Sequence, residues 1–179
     1  NDADQGITGC GQPTFNWGWN NTFNYKNFDF SFFVVGFHGF DIYNATHQMG
    51  YNLIKSQQMA GVTPMRELLN RWTPTNTNTD IPGFVKGGTE NKDFFSTRFV
   101  ENGSFIKMKS ITLGYTLPEA TCRSLGINNL RVYASVQNPF HITKYSGLDP
   151  EATMGSPLVQ GVDWGAYPNS RNYLVGLNF

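Results

Sequence analysis

Arg171-Asn172-Tyr173-Leu174-Val175-Gly176-Leu177-Asn178-Phe179 runs on a two-residue rhythm. Tyr173, Val175, Leu177 and Phe179 share one parity, while Asn172, Gly176 and Asn178 share the other, with Leu174 as the one apolar intruder. Successive side chains of a strand point to opposite faces, so the stretch reads as a strand with one apolar and one polar face. A soluble sheet can carry the same pattern by turning its apolar face to a core. What favours a transmembrane barrel is that the pattern recurs upstream with aromatic residues at its ends.

From Phe15 to Tyr25 the odd positions are Phe15, Trp17, Trp19, Asn21, Phe23 and Tyr25, and every even position is small or polar. After a tight Lys26-Asn27 turn, Phe28 to Phe37 begins as alternation and then becomes apolar on both faces. Ile111, Leu113, Tyr115 and Leu117 alternate with Ser110, Thr112, Gly114 and Thr116. Leu130, Val132, Ala134 and Val136 alternate with Arg131, Tyr133, Ser135 and Gln137. The expectation is an all-β, membrane-spanning antiparallel barrel segment of about five strands, near residues 15–25, 28–37, 105–117, 129–137 and 171–179. Their lengths suit the 9–11 residues, about, of a tilted membrane strand.

Charge placement supports lipid over a soluble core. Within the alternating runs 15–25, 28–37, 110–117, 129–137 and 171–179 only Asp29, Arg131 and Arg171 are charged, and the other 23 of the 26 Lys, Arg, Asp and Glu fall outside them. Asp29 and Arg171 sit at strand ends and Arg131 has polar-face parity. None therefore enters the apolar band, where a Lys or Arg at the midplane costs about 2–4 kcal/mol. Net charge is zero over 179 residues, which removes the electrostatic case for nucleic acid. Aromatics reach 15%, yet no apolar run approaches the roughly 20 residues of a membrane helix. An exported protein needs a leader, and none precedes Asn1, so a fragment lacking its N-terminal part is expected.

Residues 38–104 and 138–170 are expected as long extracellular loops, and 118–128 as a short periplasmic turn, following the asymmetry of bacterial barrels. In the first long loop Thr63-Pro64 reads as a helix start, and Met65, Leu68, Leu69 and Trp72 then follow at helical spacing up to Pro74. A second helix is expected between Thr46 and Met59, and Thr75–Asp80 is loop by composition.

Several segments carry a family resemblance. They are Tyr25-Lys26-Asn27-Phe28-Asp29-Phe30-Ser31, Arg71-Trp72-Thr73-Pro74 with Asn78-Thr79-Asp80-Ile81-Pro82, and Gly103 to Lys109 running into Thr112-Leu113-Gly114-Tyr115. The most specific are Gln137-Asn138-Pro139-Phe140, Lys144-Tyr145-Ser146-Gly147-Leu148-Asp149-Pro150-Glu151, and Gly161-Val162-Asp163 with Tyr167-Pro168. In this order they resemble the C-terminal portion of the SusC/RagA-like TonB-dependent outer-membrane transporters. Pro139 departs from the leucine expected there, just after a strand, where a missing N–H is cheap. The resemblance implies a plugged barrel of about 22 strands, capped by a SusD-like surface lipoprotein and energised through TonB by the missing N-terminal part. It also implies import of glycans or peptides across the bacterial outer membrane. Five strands cannot close a barrel, so the remainder of the transporter is an implied partner.

No catalytic residue is expected. Asp149 and Glu151 flank a proline and have the makings of a glycosidase pair, but carboxylates so placed are more often turn and ion-pair residues. His38, His47 and His141 lack metal-ligand spacing. Asp2 and Asp4 lie in an oxygen-rich stretch with the look of a calcium loop, yet no Glu precedes Glu67, and a plain turn is the better reading. Trp72, Tyr145, Trp164 and Tyr167 are candidate contacts for ligand or lid, with loop packing as the simpler role for each. Trp17, Trp19, Phe23, Tyr25, Tyr115, Tyr173 and Phe179 are expected as a lipid-facing girdle. Cys10 and Cys122 are expected at opposite ends of strands, too far apart for a disulfide. The reading from another class is a secreted β-sandwich that binds carbohydrate through exposed aromatics, and a small complete barrel with an even number of strands is a third.

Overall fold

The computed structural model describes residues 6–51, 65–83, 96–152 and 160–179. The alternating stretches become strands: β1 (Phe15–Tyr25), β2 (Phe28–His38), β5 (Phe105–Thr116), β6 (Arg131–Thr143) and β8 (Asn172–Asn178). They form one antiparallel sheet in the order β1-β2-β5-β6-β8, each strand beside its predecessor in the series. An eleven-residue strand such as β1 tilted by about 45° spans roughly 25 Å, the height of a barrel's apolar band.

Register then fixes what each face carries. Phe23, Phe30, Leu113, Ala134 and Val175 stand opposite one another in a line across all five strands. The next row, Thr22, Ser31, Thr112, Ser135 and Leu174, lies on the other face. On the apolar face Phe23 is 53%, Leu113 50% and Val175 81% exposed, so no second sheet among the described residues covers it. That corrects the β-sandwich alternative, which needs its apolar face inside. With β1 and β8 as edges, the sheet is an unclosed piece of barrel wall.

On the polar face, Arg131 Nε and Nη2 bond Asp29 Oδ1 and Oδ2 at 2.8 and 2.5 Å, bridging from β6 to β2 across the intervening β5. The bridge passes over Gly114, where a Cβ would stand 2.3 Å from Asp29 Oδ1. A larger residue would push the ends of the two bridging side chains aside.

β5 falls within the expected 105–117, whereas β6 is longer than expected. β5 begins at Phe105, so Lys107 and Lys109 are strand residues, and Lys107 faces the polar side opposite Val35. β6 continues to Thr143 rather than ending at 137, because Asn138 and Pro139 together oppose Lys109 in a β-bulge. Asn138 takes the left-handed φ of 50° that a bulge accepts. Pro139 therefore lies within a strand, at a position the ladder skips, and its missing N–H is not needed.

The long connections are not simple loops. β3 (Asp41–Asn44) pairs antiparallel with β4 (Val100–Asn102) and parallel with β7 (Val162–Asp163), knitting both connections into a small second sheet. Helix α1 (Ala45–Tyr51) follows β3, a residue earlier than the expected start, and residues 52–59 lie outside those described. The helix expected from Met65 to Trp72 is a 3₁₀ segment, Arg66–Asn70, entered from an extended Met65 without a side-chain cap. At three residues per turn it cannot hold the i, i+4, i+7 stripe, and Leu69 is accordingly 78% exposed. Thr63 and Pro64 lie outside the described residues. The short 118–128 connection folds as α2 (Glu119–Ser124) over a buried Cys122, and Cys10 and Cys122 are both free.

The core sits where this small sheet meets the upper polar face of the large one. Val35, Phe40, Ile42, Phe105 and Tyr145 are buried together, with Phe37 packed against them. This accounts for β2 turning apolar on both faces: Val35 and Phe37 roof the wall beneath the cap, while Val34 stays on the bare face opposite Trp19.

In the full-length protein in bilayers, spin labels at Phe23, Leu113, Val132 and Val175 should be quenched by lipid-dissolved oxygen more than labels at Thr22, Thr112, Ser135 and Gly176. Equal quenching on both faces would contradict the face assignment.

Candidate functional site

The cap is fastened to the wall by an ionic latch. Lys107, 2% exposed, projects from β5 and its Nζ donates to Asp149 Oδ2 and Glu151 Oε2, each at 2.7 Å. Lys109 donates to the other oxygen of Glu151. Asn169 Nδ2 donates to Asp149 Oδ2 at 3.2 Å and to Glu151 Oε2 at 3.1 Å, and the backbone N–H of Glu151 donates to Asp149 Oδ1 at 3.1 Å. The Lys109 position is the one at which β5 slips register against both neighbours, which puts both lysines on the polar side.

Burial works against the charge on Asp149, yet Lys107 and the N–H groups of Glu151 and Asn169 hold its carboxyl below the ordinary 3.8. Burial likewise opposes Glu151, and Lys107 and Lys109 outweigh it and keep it below 4.5. A glycosidase acid needs a raised value. This pair is tuned the opposite way, as a fastening.

Two further networks stitch the long connections to each other. Asn44 Nδ2 donates to Glu101 Oε1 at 2.9 Å, and Ser146 gives its N–H to Oε2 at 2.8 Å and its hydroxyl to Oε1 at 2.7 Å. Tyr145 donates to Asp163 Oδ2 at 2.6 Å, while Asp163 Oδ1 accepts the N–H groups of Gly165 and Ala166 at 2.8 and 3.1 Å. Burial, then the Asp163 carboxylate, pushes the Tyr145 phenol far above its usual value. Tyr145 was expected as an exposed contact and is 5% exposed, its ring part of the core.

The other candidates separate by exposure. Trp72, Trp164 and Tyr167 are 47%, 51% and 88% exposed on the cap, available to a partner. Of the expected girdle, Trp19, Phe23, Tyr25, Tyr173 and Phe179 are exposed. Trp17 lies over Gly36, with its indole N–H 3.2 Å from His38 Nε2, and Tyr115 packs on Phe28 at 4.6 Å between ring centres. Asp2 and Asp4 lie outside the described residues.

The sequence reading missed Lys107, Lys109, Glu101 and Asp163. Extending the alternation back from Ile111 would put Lys107 on the bare face, because the count slips at Lys109; only the local Ile106-Lys107-Met108 pattern gives its side.

Between the two connections lies a cleft of about 300 Å³, lined by Asn44, Thr46, His47, Met65, Glu67, Ser146, Gly147, Leu148, Asp163, Gly165 and Ala166.

The chain is 37% identical over 98% of its length to TonB-dependent receptor P3 of Formosa agariphila, of which it covers 17%. It is 33% identical over 86% of its length to the TonB-dependent receptor SusC of Bacteroides thetaiotaomicron, covering 14% of that protein. Among solved structures, the RagAB peptide importer in its closed-closed state superposes with a TM-score of 0.76 at 27% identity, over 93% of this chain and 17% of that one. The open-open state gives 0.73. No family profile matches the chain. The chain is homologous, over almost its whole length, to a segment of the SusC/RagA-like TonB-dependent receptors, and it spans about a sixth of the length of these relatives.

Lys107→Met should leave Asp149 buried without its cation and destabilise the cap by about 3–5 kcal/mol. Limited proteolysis of the full-length variant should cut within residues 144–171 faster than in the wild type, and an unchanged rate would show the latch to be dispensable. Because both carboxylates ionise below their ordinary values, their contribution is complete above 3.8 and 4.5 and is lost as pH falls through the lower folded values. The same cuts should therefore appear in the wild type only below about pH 4, and loosening between pH 6 and 8 would contradict this.

Proposed function

We propose that this segment of a SusC/RagA-like TonB-dependent receptor supplies wall and cap to an importer of glycans or peptides in the bacterial outer membrane. The observation that carries the reading is the asymmetry of the sheet. One face is bare and apolar from edge to edge, while the other is polar and roofed at one end by a cap built from both long connections. A bare apolar face of that extent is stable against lipid and costly in water at about 25 cal/mol per Å². On this reading Trp19, Phe23, Tyr25, Tyr173 and Phe179 meet acyl chains and headgroups, with Trp17 and Tyr115 among them.

The cap then faces outward and meets a SusD-like lid and the ligand, through Trp72, Trp164 and Tyr167. Loops carry function when a rigid scaffold positions them, and the latch, the Glu101 network and the Tyr145–Asp163 bond provide that rigidity. The remainder of the receptor closes the barrel on the free edges of β1 and β8, since unpaired strand edges are not tolerated in hydrocarbon. Contact with TonB belongs to parts of the receptor outside this chain. The role is transport rather than catalysis, in keeping with lowered carboxylates at Asp149 and Glu151.

Deleting Thr75–Asp80 from the full-length receptor should reduce nutrient uptake or lid association at least severalfold. Heat-resistant barrel mobility on gels should be unchanged, because the segment lies outside the strands. Unaltered uptake and lid binding would contradict the outward, partner-facing placement.

A further inference from the structure

The cleft between the two long connections differs in character from the networks around it. Its walls are Met65, Leu148, Ala166 and the backbones of Gly147 and Gly165. Much of its polar lining is already engaged: buried Asp163 is taken by Tyr145, Gly165 and Ala166, and buried Asn44 and exposed Ser146 by Glu101. A sugar ring would find few open hydrogen-bond partners inside. The exposed charged group of the lining is Glu67, whose side chain is 61% exposed.

Glu67 is held as a carboxylate. The hydroxyl of Tyr51 donates to its Oε2, and His47 Nε2 lies 3.4 Å from the same oxygen. These contacts lower its pKa, with Tyr51 the larger influence, while burial and then Glu67 push the Tyr51 phenol up to about 12. The described lining contains no Lys or Arg. An apolar cleft near the size of a small ligand site, with an ionised carboxylate at its mouth, selects an apolar group next to a cation.

We propose that the cleft binds a peptide, taking up one apolar side chain between Met65, Leu148 and Ala166 while a neighbouring ammonium or guanidinium group meets Glu67. The assignment deepens the importer reading and rests on it. It makes the cap a selective surface, preferring basic–apolar peptides over acidic ones and over neutral glycans.

The test uses the full-length receptor purified with its lid protein, and three probes: a tetrapeptide of lysine, leucine and two glycines, the same peptide with glutamate in place of lysine, and a neutral tetraglucose. Calorimetry should show the lysine peptide bound most tightly. Glu67→Gln should weaken it roughly fivefold, the scale of one exposed ion pair. Glu67→Lys should abolish its binding and remove the discrimination against the glutamate peptide. Equal affinity of wild type and Glu67→Lys for the lysine peptide would overturn the proposal, as would a preference for tetraglucose that depends on Glu67. Uptake by cells separates the two readings. Glu67-dependent peptide binding in a receptor that imports nothing would support the cleft and sink the importer. Normal uptake with binding indifferent to Glu67 would sink the cleft alone.

Discussion

In hydrocarbon, each peptide group left without a hydrogen-bond partner costs several kcal/mol, and the layout of this chain follows from that constraint. Five strands pair neighbour to neighbour in chain order, so interior strands β2, β5 and β6 have both edges satisfied. Where β6 must carry a proline, the bulge at Asn138 and Pro139 removes the demand for its N–H, and the apolar parity resumes at Phe140 opposite Met108. Glycine serves the same economy of space, with Gly114 clearing a path for the Asp29–Arg131 bridge.

The same constraint forces charge into two belts on the polar face. One is Asp29 with Arg131 near the short connections, and the other is Lys107 and Lys109 with Asp149 and Glu151 beneath the cap. Between them the wall offers hydroxyls and amides, such as the Thr112–Ser135 pair at 2.8 Å. Burying Lys107 carries a desolvation cost that only its two carboxylates offset. Replacing the whole ionic cluster by well-packed apolar residues would cost less in stability. The ionic version instead ties a distant connection to one place on the wall.

Alternation over 15–25 and 172–178 was legible because the environment of each residue there depends on parity alone. The same rule stopped short in β6 for one local reason: the bulge at Asn138 and Pro139 opposite Lys109 breaks the count and disguises strand as loop. The small sheet was invisible because β3, β4 and β7 are two to four residues long, too short to establish a period. Tyr145 read as exposed because nothing local marks a ring that is buried by contacts with Val35, Phe40 and Phe105 from elsewhere in the chain. The latch joins residues more than forty positions apart, and no spacing rule reaches so far. The 3₁₀ segment shows the converse: a helical stripe from Met65 to Trp72 was present in the sequence, and packing did not use it.

The most direct test is a cryo-electron-microscopy map of the full-length receptor in a lipid nanodisc. The account predicts acyl-chain density against Phe23, Leu113, Val132 and Val175, with the outer edges of β1 and β8 each hydrogen-bonded to another strand of the same barrel. Protein packed across that face, or either edge left unpaired in the bilayer, would contradict it.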